Sequence, residues 1–155
     1  MSNSHEARLA ALGIELPNPA SPAANYVPYT ISGKTLFVAG QITIWNGELR
    51  YLGRLGADLD VAKGAEAARL CGLNLIAQAR QAAGGSLDGI KRVLKLGGFV
   101  NCTADFIQHP QVINGASDLM VDVFGEAGKH ARFAVGAVSL PRGVAVEVDA
   151  IFELA

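Results

Sequence analysis

Residues 130–152 of this chain read HARFAVGAVSLPRGVAVEVDAIF, and the interpretation of the fold starts from them. The pattern predicts two strands joined at Leu140-Pro141-Arg142-Gly143, and in each strand a charge stands where an apolar residue is expected. These charges are Arg132 and Glu147. Because removing an ion from water is costly, charged side chains are rarely buried unless they are paired. The stretch therefore predicts either a structural ion pair between neighbouring strands or subunits, or a site for a small polar ligand.

The composition indicates one apolar domain. The 155 residues are 50% hydrophobic and 17% charged, with no apolar run near the ~20 residues of a membrane span. We expect the apolar excess to lie at a subunit interface. Cys71 and Cys102 make no disulfide framework and no secretory signal opens the chain, so we expect a cytoplasmic protein without membrane contact. A net charge of -1 gives no electrostatic reason to expect nucleic acid.

The first quarter of the chain predicts a short helix followed by an extended segment. Residues 3–11 favour a helix capped by Asn3, with Glu6 completing a capping box. Four prolines then exclude helix from residues 16–28, which we expect to lie over a surface or reach a neighbouring subunit. We treat the whole chain as one domain, with residues 1–25 as its N-terminal extension.

Two hairpins follow the extended segment. Residues 29–32 and 35–42 flank Gly33-Lys34, a connection that fits a tight turn. A third strand region spans residues 44–51 and turns at Asn46-Gly47, the strongest hairpin signal in the sequence.

Two long helices enclose one further strand. The first begins at a cap on Asp58 or Asp60 and reaches about Ala83, while the second runs from Pro110 to Ala127. Residues 92–102 favour a strand with a bulge or close contact at Gly97-Gly98. The order of elements predicts an α+β sandwich, one sheet with two helices on one face. Nothing is left to cover the other face, so we expect it to be buried against copies of the same chain.

Seven short motifs between residues 26 and 152 resemble one known family. They are Ala39-Gly40-Gln41-Ile42, Asn74-Leu75, Val112-Ile113-Asn114, Phe124-Gly125, Ala131-Arg132, Leu140-Pro141 and Val146-Glu147-Val148. Together they resemble the RidA/YjgF family, also known as endoribonuclease L-PSP or reactive intermediate imine deaminase, in a less characterised branch. The resemblance implies a chorismate-mutase-like fold with one mixed sheet, in a homotrimeric barrel with three clefts between subunits.

The resemblance also implies an activity and a site. Deaminating members hydrolyse small 2-imino and 2-enamino acids to 2-oxo acids and ammonia without a metal or organic cofactor. By position, Arg132 matches the arginine that clamps the substrate carboxylate and Glu147 the glutamate beside the attacking water. Tyr26, Gly40 and Asn114 match residues that border the cleft. We therefore expect a small carboxylate-bearing metabolite as the ligand, bound by Tyr26, Gly40, Asn114 and Arg132.

The sequence departs from the deaminase pattern at two positions. Many active members have a serine where Ala39 stands here, and a cysteine where Ala134 stands. A non-catalytic binder or sensor of small carboxylates is therefore an alternative, and endoribonuclease or translation-inhibitor activity is a third. His5, His109 and His130 share no metal spacing with the cysteines, and we expect both cysteines to be small core residues.

Overall fold

The computed structural model describes residues 4–22 and 24–155. Its helices are α1 (His5–Ala11), α2 (Val61–Ala82) and α3 (His109–Phe124). Its strands are β1 (Tyr29–Ser32), β2 (Thr35–Gln41), β3 (Ile44–Trp45), β4 (Glu48–Leu49), β5 (Ile90–Asn101), β6 (Ala131–Ala137) and β7 (Val146–Leu154). Five strands form a mixed sheet in the order β1-β2-β7-β5-β6, in which only β5 and β6 run parallel. The α+β class and the mixed sheet are confirmed.

The two faces of this sheet differ. Strand residues alternate between faces, and the set that faces α2 and α3 is buried. That set includes Leu36, Val38, Val93, Leu96, Val100, Val146, Val148, Ala150 and Phe152. On the opposite face, Phe37, Phe133 and Val135 remain 43%, 36% and 43% exposed. We call this second surface the open face. An uncovered apolar face was predicted from the sequence, and the copies expected to cover it stay a prediction.

The two strands of residues 130–152 are not neighbours, because β5 lies between them. In one row across β6, β5 and β7, Arg132 aligns with Leu96 and Ala150, which are buried beneath the helices. Glu147 aligns with Phe99 and Val135 on the open face. The alternative prediction of an ion pair between Arg132 and Glu147 on neighbouring strands of one chain is therefore wrong.

The helix ends follow local chemistry. The Asp60 side chain caps α2, since its Oδ1 accepts from the Lys63 N–H at 2.8 Å, whereas Asp58 accepts from the Arg54 N–H. The helix α3 ends at Phe124 rather than near Ala127, because Gly125 takes a positive φ of 63° and a 3-10 turn follows.

The N-terminal cap differs from the prediction. Asn3 lies outside the described residues, and Ser4 caps α1 by accepting from the Ala7 N–H at 3.1 Å. Glu6 does not complete a capping box. Its carboxylate instead pairs with Arg80 at 2.8 Å and accepts from the Leu87 N–H, which ties α1 to α2 and to the start of β5.

Both predicted hairpins are confirmed. Asn46 and Gly47 have φ values of 48° and 89°, as the tight turn between β3 and β4 requires. Gly97-Gly98 is a close contact rather than a bulge, because a Cβ on Gly98 would collide with Ile113 of α3. The register of β5 shifts instead between residues 90 and 95, and that of β2 shifts between Val38 and Gln41.

Candidate active site

A cleft of about 190 Å³ opens where β2 ends and β7 begins. Tyr26, Gly40 and Glu147 line it together with Ser21 and Arg142. Three of the five residues proposed from the sequence thus meet in one place. We call Tyr26, Gly40 and Glu147 the Glu147 group.

The irregularity in β2 places Gly40 against Glu147. The register between β2 and β7 shifts between Val38 and Gln41, so the chain at Ala39-Gly40 leaves regular pairing. A Cβ on Gly40 would overlap the Glu147 carboxylate. Only glycine therefore leaves room for the carboxylate in its present position.

The Glu147 carboxylate is half-buried and has no hydrogen bond or ion pair with any residue the structure describes. Burial raises its pKa above the ordinary value for a glutamate, and the charge of Asp149 on the same strand adds to this effect. A carboxylate with free acceptor sites and a raised pKa is suited to hold a water molecule and to take a proton from it.

Residues 20–22, 26 and 28 of the proline-rich segment form the roof of the cleft. Ser21, Pro22, Tyr26 and Pro28 line it from this side. The buried side chain of Gln78 in α2 holds the segment by donating from Nε2 to the Ala20 carbonyl at 2.8 Å. The extended segment predicted from its prolines therefore lies over its own chain.

Arg142 is a cleft residue that the sequence reasoning missed. It follows Pro141 in the turn before β7 and adopts φ 60° and ψ 15°, a left-handed conformation that costs a non-glycine residue about 1 kcal/mol. The turn itself was predicted, but nothing in its pattern indicated that its arginine borders a cleft. The cleft thus has an exposed cation at its edge.

Arg132 lies away from this cleft. Its guanidinium donates from Nη1 to Ser117 Oγ at 3.0 Å and from Nη2 to the Pro110 carbonyl at 3.3 Å. Ser117 and Pro110 both belong to α3, so the helix fixes the direction of the arginine side chain. The guanidinium retains further N–H groups for a ligand, because it carries five donors.

His130 extends this arrangement. Its Nδ1 lies 2.6 Å from the Gly128 carbonyl and its Nε2 lies 2.8 Å from Ser117 Oγ. Since a carbonyl can only accept, the pattern assigns the ring proton to Nδ1, and Nε2 accepts from the Ser117 hydroxyl. The serine oxygen is thereby left to accept from Arg132. Sequence reasoning missed Ser117 as a partner of Arg132 and His130 as a partner of Ser117.

Asn114 belongs to the same side of the molecule as Arg132. It is exposed on α3, between Pro110 and Ser117, and residues four and three apart share one stripe of a helix. We call Asn114, Ser117 and Arg132 the Arg132 group. The structure thus divides the predicted site into two groups, the Glu147 group and the Arg132 group, on opposite sides of one sheet.

Among residues 4–22 and 24–155, no cluster of three or more His, Cys, Asp or Glu side chains could hold a metal ion. In the same part of the chain, no helix has the length and apolar character needed to cross a membrane.

Comparison with known proteins gives one family. A family model described as "YjgF/chorismate mutase-like, putative endoribonuclease" matches residues 6–153. Protein TCP17 of Trypanosoma cruzi is 52% identical over 149 residues, which cover 96% of this chain and 92% of that protein. The crystal structure of Atu1372 from Agrobacterium tumefaciens, a protein of unknown function, is 48% identical with a TM-score of 0.90. That match covers 97% of this chain and 92% of the other.

A more distant structure contains a ligand. The crystal structure of E. coli TdcF with bound serine is 25% identical to this chain, with a TM-score of 0.61. The match covers 90% of this chain and 94% of the other. The same architecture therefore extends from relatives near half identity to proteins at a quarter identity.

Proposed function

We propose, from the premise that this chain belongs to the YjgF/chorismate mutase-like family, that it hydrolyses small reactive 2-imino and 2-enamino acids to 2-oxo acids and ammonia. The observation that carries the proposal is the Glu147 carboxylate, which lines a cleft beside Gly40 with no ion pair of its own among the described residues. A glutamate in that situation is available for a water molecule rather than committed to structure.

The complete site requires a second copy of the chain. Arg132 faces the helix side of the sheet and Glu147 the open face, so one chain cannot bring both to one small ligand. Two observations support assembly: the open face exposes Phe37, Phe133 and Val135, and β6, which carries Arg132, is an edge strand. We propose a homotrimer in which the Arg132 group of one subunit completes the cleft of its neighbour.

The proposed reaction needs few catalytic groups. Arg132 binds the substrate carboxylate through parallel N–H donors and sets the orientation of the C=N bond. Glu147 accepts a proton from water as the water oxygen attacks the imine carbon, which gives a carbinolamine. Glu147 passes this proton to the nitrogen, which completes the carbinolamine, and then transfers the hydroxyl proton to the same nitrogen. The C–N bond breaks with its electron pair on the departing ammonia as the carbonyl forms. A 2-enamino acid first takes a proton at carbon 3 to become the imine.

The ligand class follows from the size of the cleft and from a relative. A volume of about 190 Å³ fits a small acid rather than a nucleotide. The TdcF structure holds serine, a small amino acid whose carboxylate is of the kind that Arg132 is proposed to bind. Arg142 at the edge of the cleft adds positive charge, which favours an acidic ligand.

A non-catalytic binder of small carboxylates is the second candidate. Ala39 adjoins Gly40 at the irregularity of β2, and Ala134 follows Arg132 on the helix side of β6. Neither side chain can donate or accept a hydrogen bond, so the polar contacts available to a reacting ligand are fewer. This feature favours binding without turnover.

One assay separates these candidates. An amino-acid oxidase generates 2-imino acids in situ, and the rate of their loss is followed with and without the protein. We expect the wild type to accelerate hydrolysis and Arg132→Ala to reduce the rate roughly 100-fold, since hydrogen bonds to a charged group contribute about 1.5–3 kcal/mol each. Arg132→Lys should retain an intermediate rate, because it keeps the charge and loses the planar fork.

Controls decide the interpretation. Arg92→Ala removes an exposed arginine that also donates to a carbonyl, that of Lys129, and should leave the rate unchanged. A wild type no faster than buffer contradicts the deaminase proposal. If that inert wild type binds a 2-oxo acid and Arg132→Ala does not, the binder is correct. RNA cleavage that survives repurification would support the endoribonuclease instead.

A further inference from the structure

A cysteine and a histidine form a pair outside both groups. Cys102 follows the last residue of β5, and His109 is the first residue of α3. Cys102 Sγ lies 3.5 Å from His109 Nε2, within hydrogen-bonding distance for sulfur. From its sequence context, Cys102 was expected in the core, and His109 shares no metal spacing with the cysteines. The fold brings them together because the loop between them returns the chain to the same end of the sheet.

The pair borders a cavity. A space of about 290 Å³ is lined by Cys102 and His109 together with Arg54, Thr103 and Phe106. Cys102 is only 8% exposed, so the cavity is the route by which a small molecule reaches its sulfur.

The edge strand leaves this space open. Gly136 of β6 faces the pair, and a Cβ there would come within 2.8 Å of both Cys102 Sγ and His109 Nε2. Any other residue at this position would press on the pair. Cys102 belongs to the buried core, as predicted, and its thiol also borders the cavity beside the imidazole.

A proton acceptor and a cation lie close to the Cys102 sulfur. The imidazole can accept the thiol proton, and the guanidinium of Arg54 lines the same cavity and donates to the Cys102 carbonyl at 3.5 Å. His109 is the first residue of α3, and the positive end of the helix dipole lies there. Asp105, in the loop between Cys102 and His109, acts in the opposite direction. Its carboxylate accepts from the Thr103 hydroxyl at 2.7 Å, and this hydrogen bond lowers its pKa and favours its negative charge.

The other cysteine provides a contrast within the same chain. Cys71 is fully buried in α2, with its sulfur against the Val146 carbonyl. Burial raises the pKa of its thiol well above the ordinary value, and the charge of Glu147 acts in the same direction. Cys71 is therefore held as an unreactive thiol.

We propose that Cys102, with His109 as its base, is a nucleophilic thiol that reacts with small carbon electrophiles entering the 290 Å³ cavity. His109 Nε2 takes the proton from Sγ. A sulfur lone pair then forms a bond to the electrophilic carbon while the leaving group departs with its bonding pair. With iodoacetamide as the probe, the C–I bond breaks, iodide leaves, and a thioether remains on Cys102.

Alkylation of the full-length protein at pH 6.5 tests this proposal. Iodoacetamide labelling is followed by peptide mass spectrometry at Cys102 and Cys71, with glutathione as the reference thiol. We expect Cys102 to react at least about tenfold faster than glutathione, because a free thiol of pKa ~8.5 is only about 1% thiolate at that pH. Cys71 should stay unlabelled until the protein is denatured. A Cys102 rate equal to or below that of glutathione overturns the proposal.

A histidine variant tests the role of the base. His109→Gln keeps polar atoms near the sulfur but cannot take its proton, and we expect the Cys102 rate to fall about tenfold. His5→Ala is the control, since His5 bonds to the Ile90 carbonyl and has no contact with the cysteine. If His109→Gln folds and reacts as fast as the wild type, His109 is not the base.

The pH profile of the wild type gives a test that needs no variant. If His109 takes the thiol proton in the resting pair, as proposed, the alkylation rate of Cys102 should change by less than tenfold per pH unit between about pH 5.5 and 7.5. A free thiol rises tenfold per unit over this range. That steep rise at Cys102 would overturn the proposal even if His109→Gln failed to fold.

Arg54 has its own test. The ratio of iodoacetate to iodoacetamide rates measures the attraction of the cavity for an anion. We expect this ratio to exceed that of glutathione in the wild type and to fall in Arg54→Ala, since the guanidinium lines the cavity. A ratio that Arg54→Ala leaves unchanged would contradict this role for Arg54.

Discussion

The Glu147 group and the Arg132 group are built in different ways. The Glu147 group lies in a cleft. The irregularity of β2 forms one side of this cleft, and the proline-rich roof covers it. The Arg132 group lies along an edge strand, where α3 fixes the guanidinium through Ser117 and the Pro110 carbonyl. The Glu147 group is therefore enclosed in a cleft but contains no cation from β6. In the Arg132 group the guanidinium is held in one orientation, but the group has no cleft of its own.

This difference follows from the alternation of strand residues. Glu147 stands between Val146 and Val148, which are both buried against the helices, so its own side chain must face the opposite way. Arg132 stands between residues that face the open side, so it points toward α3. One sheet thus presents a carboxylate on one surface and a guanidinium on the other, and the proposed trimer would bring the two together.

The largest effect is expected from the base. Glu147→Gln keeps the shape of the side chain but cannot take a proton, so we expect the deamination rate to fall roughly 100-fold to 10,000-fold. Initial rates with oxidase-generated imines measure this loss. Glu153→Gln is the control, because Glu153 lies on the same strand in an exposed pair with Lys91. A Glu147→Gln protein with more than about a tenth of the wild-type rate would assign the base elsewhere.

Mixing two inactive variants tests where the groups meet. Arg132→Ala and Glu147→Gln chains, unfolded together in equal amounts and refolded, should regain about a quarter of the wild-type activity, because half of the arginines and half of the glutamates are intact at random. Each variant refolded alone is the control. A mixture as inactive as its components would place both residues of a site in one chain, contrary to the comparison.

Removal of the Ser117 hydroxyl should have a moderate effect. Ser117→Ala frees Arg132 from one hydrogen bond of 3.0 Å, and we expect KM to rise about threefold to tenfold with little change in kcat. Steady-state kinetics separate the two constants. Ser86→Ala is the control, since the Ser86 hydroxyl only accepts from the Asp88 N–H in a turn before β5. A fall in kcat with constant KM would show that Ser117 acts beyond positioning the clamp.

The pH profile should respond to Asp149. Burial raises the pKa of Glu147 first and the charge of Asp149 second, so activity is lost as the pH falls through this raised pKa. Asp149→Asn removes the second cause, and we expect the acidic limb of the kcat/KM profile to move to lower pH. Burial remains, so the limb should stay above the position of an ordinary glutamate. A limb that does not move would mean that another group controls it.

The smallest effect concerns stability. Folding raises the pKa of Glu147, so the folded state binds this proton more tightly than the unfolded state does. The free energy of unfolding therefore falls as the pH rises from the ordinary glutamate pKa through the raised pKa of the folded state. Glu147→Gln should therefore raise Tm slightly at pH 7 and have almost no effect below pH 4, where the unfolded glutamate is also protonated. A lower Tm at pH 7 would show that the charge stabilises the fold.

The sequence predicted those parts of the fold that depend on neighbouring residues. The Asp60 cap, the Asn46-Gly47 turn and the start of α3 beside Pro110 each rest on local backbone preferences. The order of strands depends on tertiary packing, and nothing in residues 130–152 indicates that β5 lies between the two strands. The alternative of an ion pair between neighbouring strands of one chain is wrong for that reason.

The residues of the candidate site were predictable from the sequence, but their arrangement was not. Arg132 and Glu147 were identified because charges interrupt apolar strands. Their separation onto two faces was hidden, since Phe133 and Val135 of β6 are apolar but face the open side. Cys102 and His109 are joined by an irregular loop, so no helix or strand periodicity in the sequence could predict their contact.

The proline-rich roof over the cleft has a consequence for how such proteins diverge. Proline lacks an N–H, so this segment needs fewer hydrogen-bond partners than an ordinary strand, and Gln78 fastens it at the Ala20 carbonyl. Ser21 and Tyr26 thus line the cleft from a part of the chain that no sheet pairing restrains. We expect mutations there to change ligand preference at little cost to folding, so that new specificities can evolve on an unchanged core.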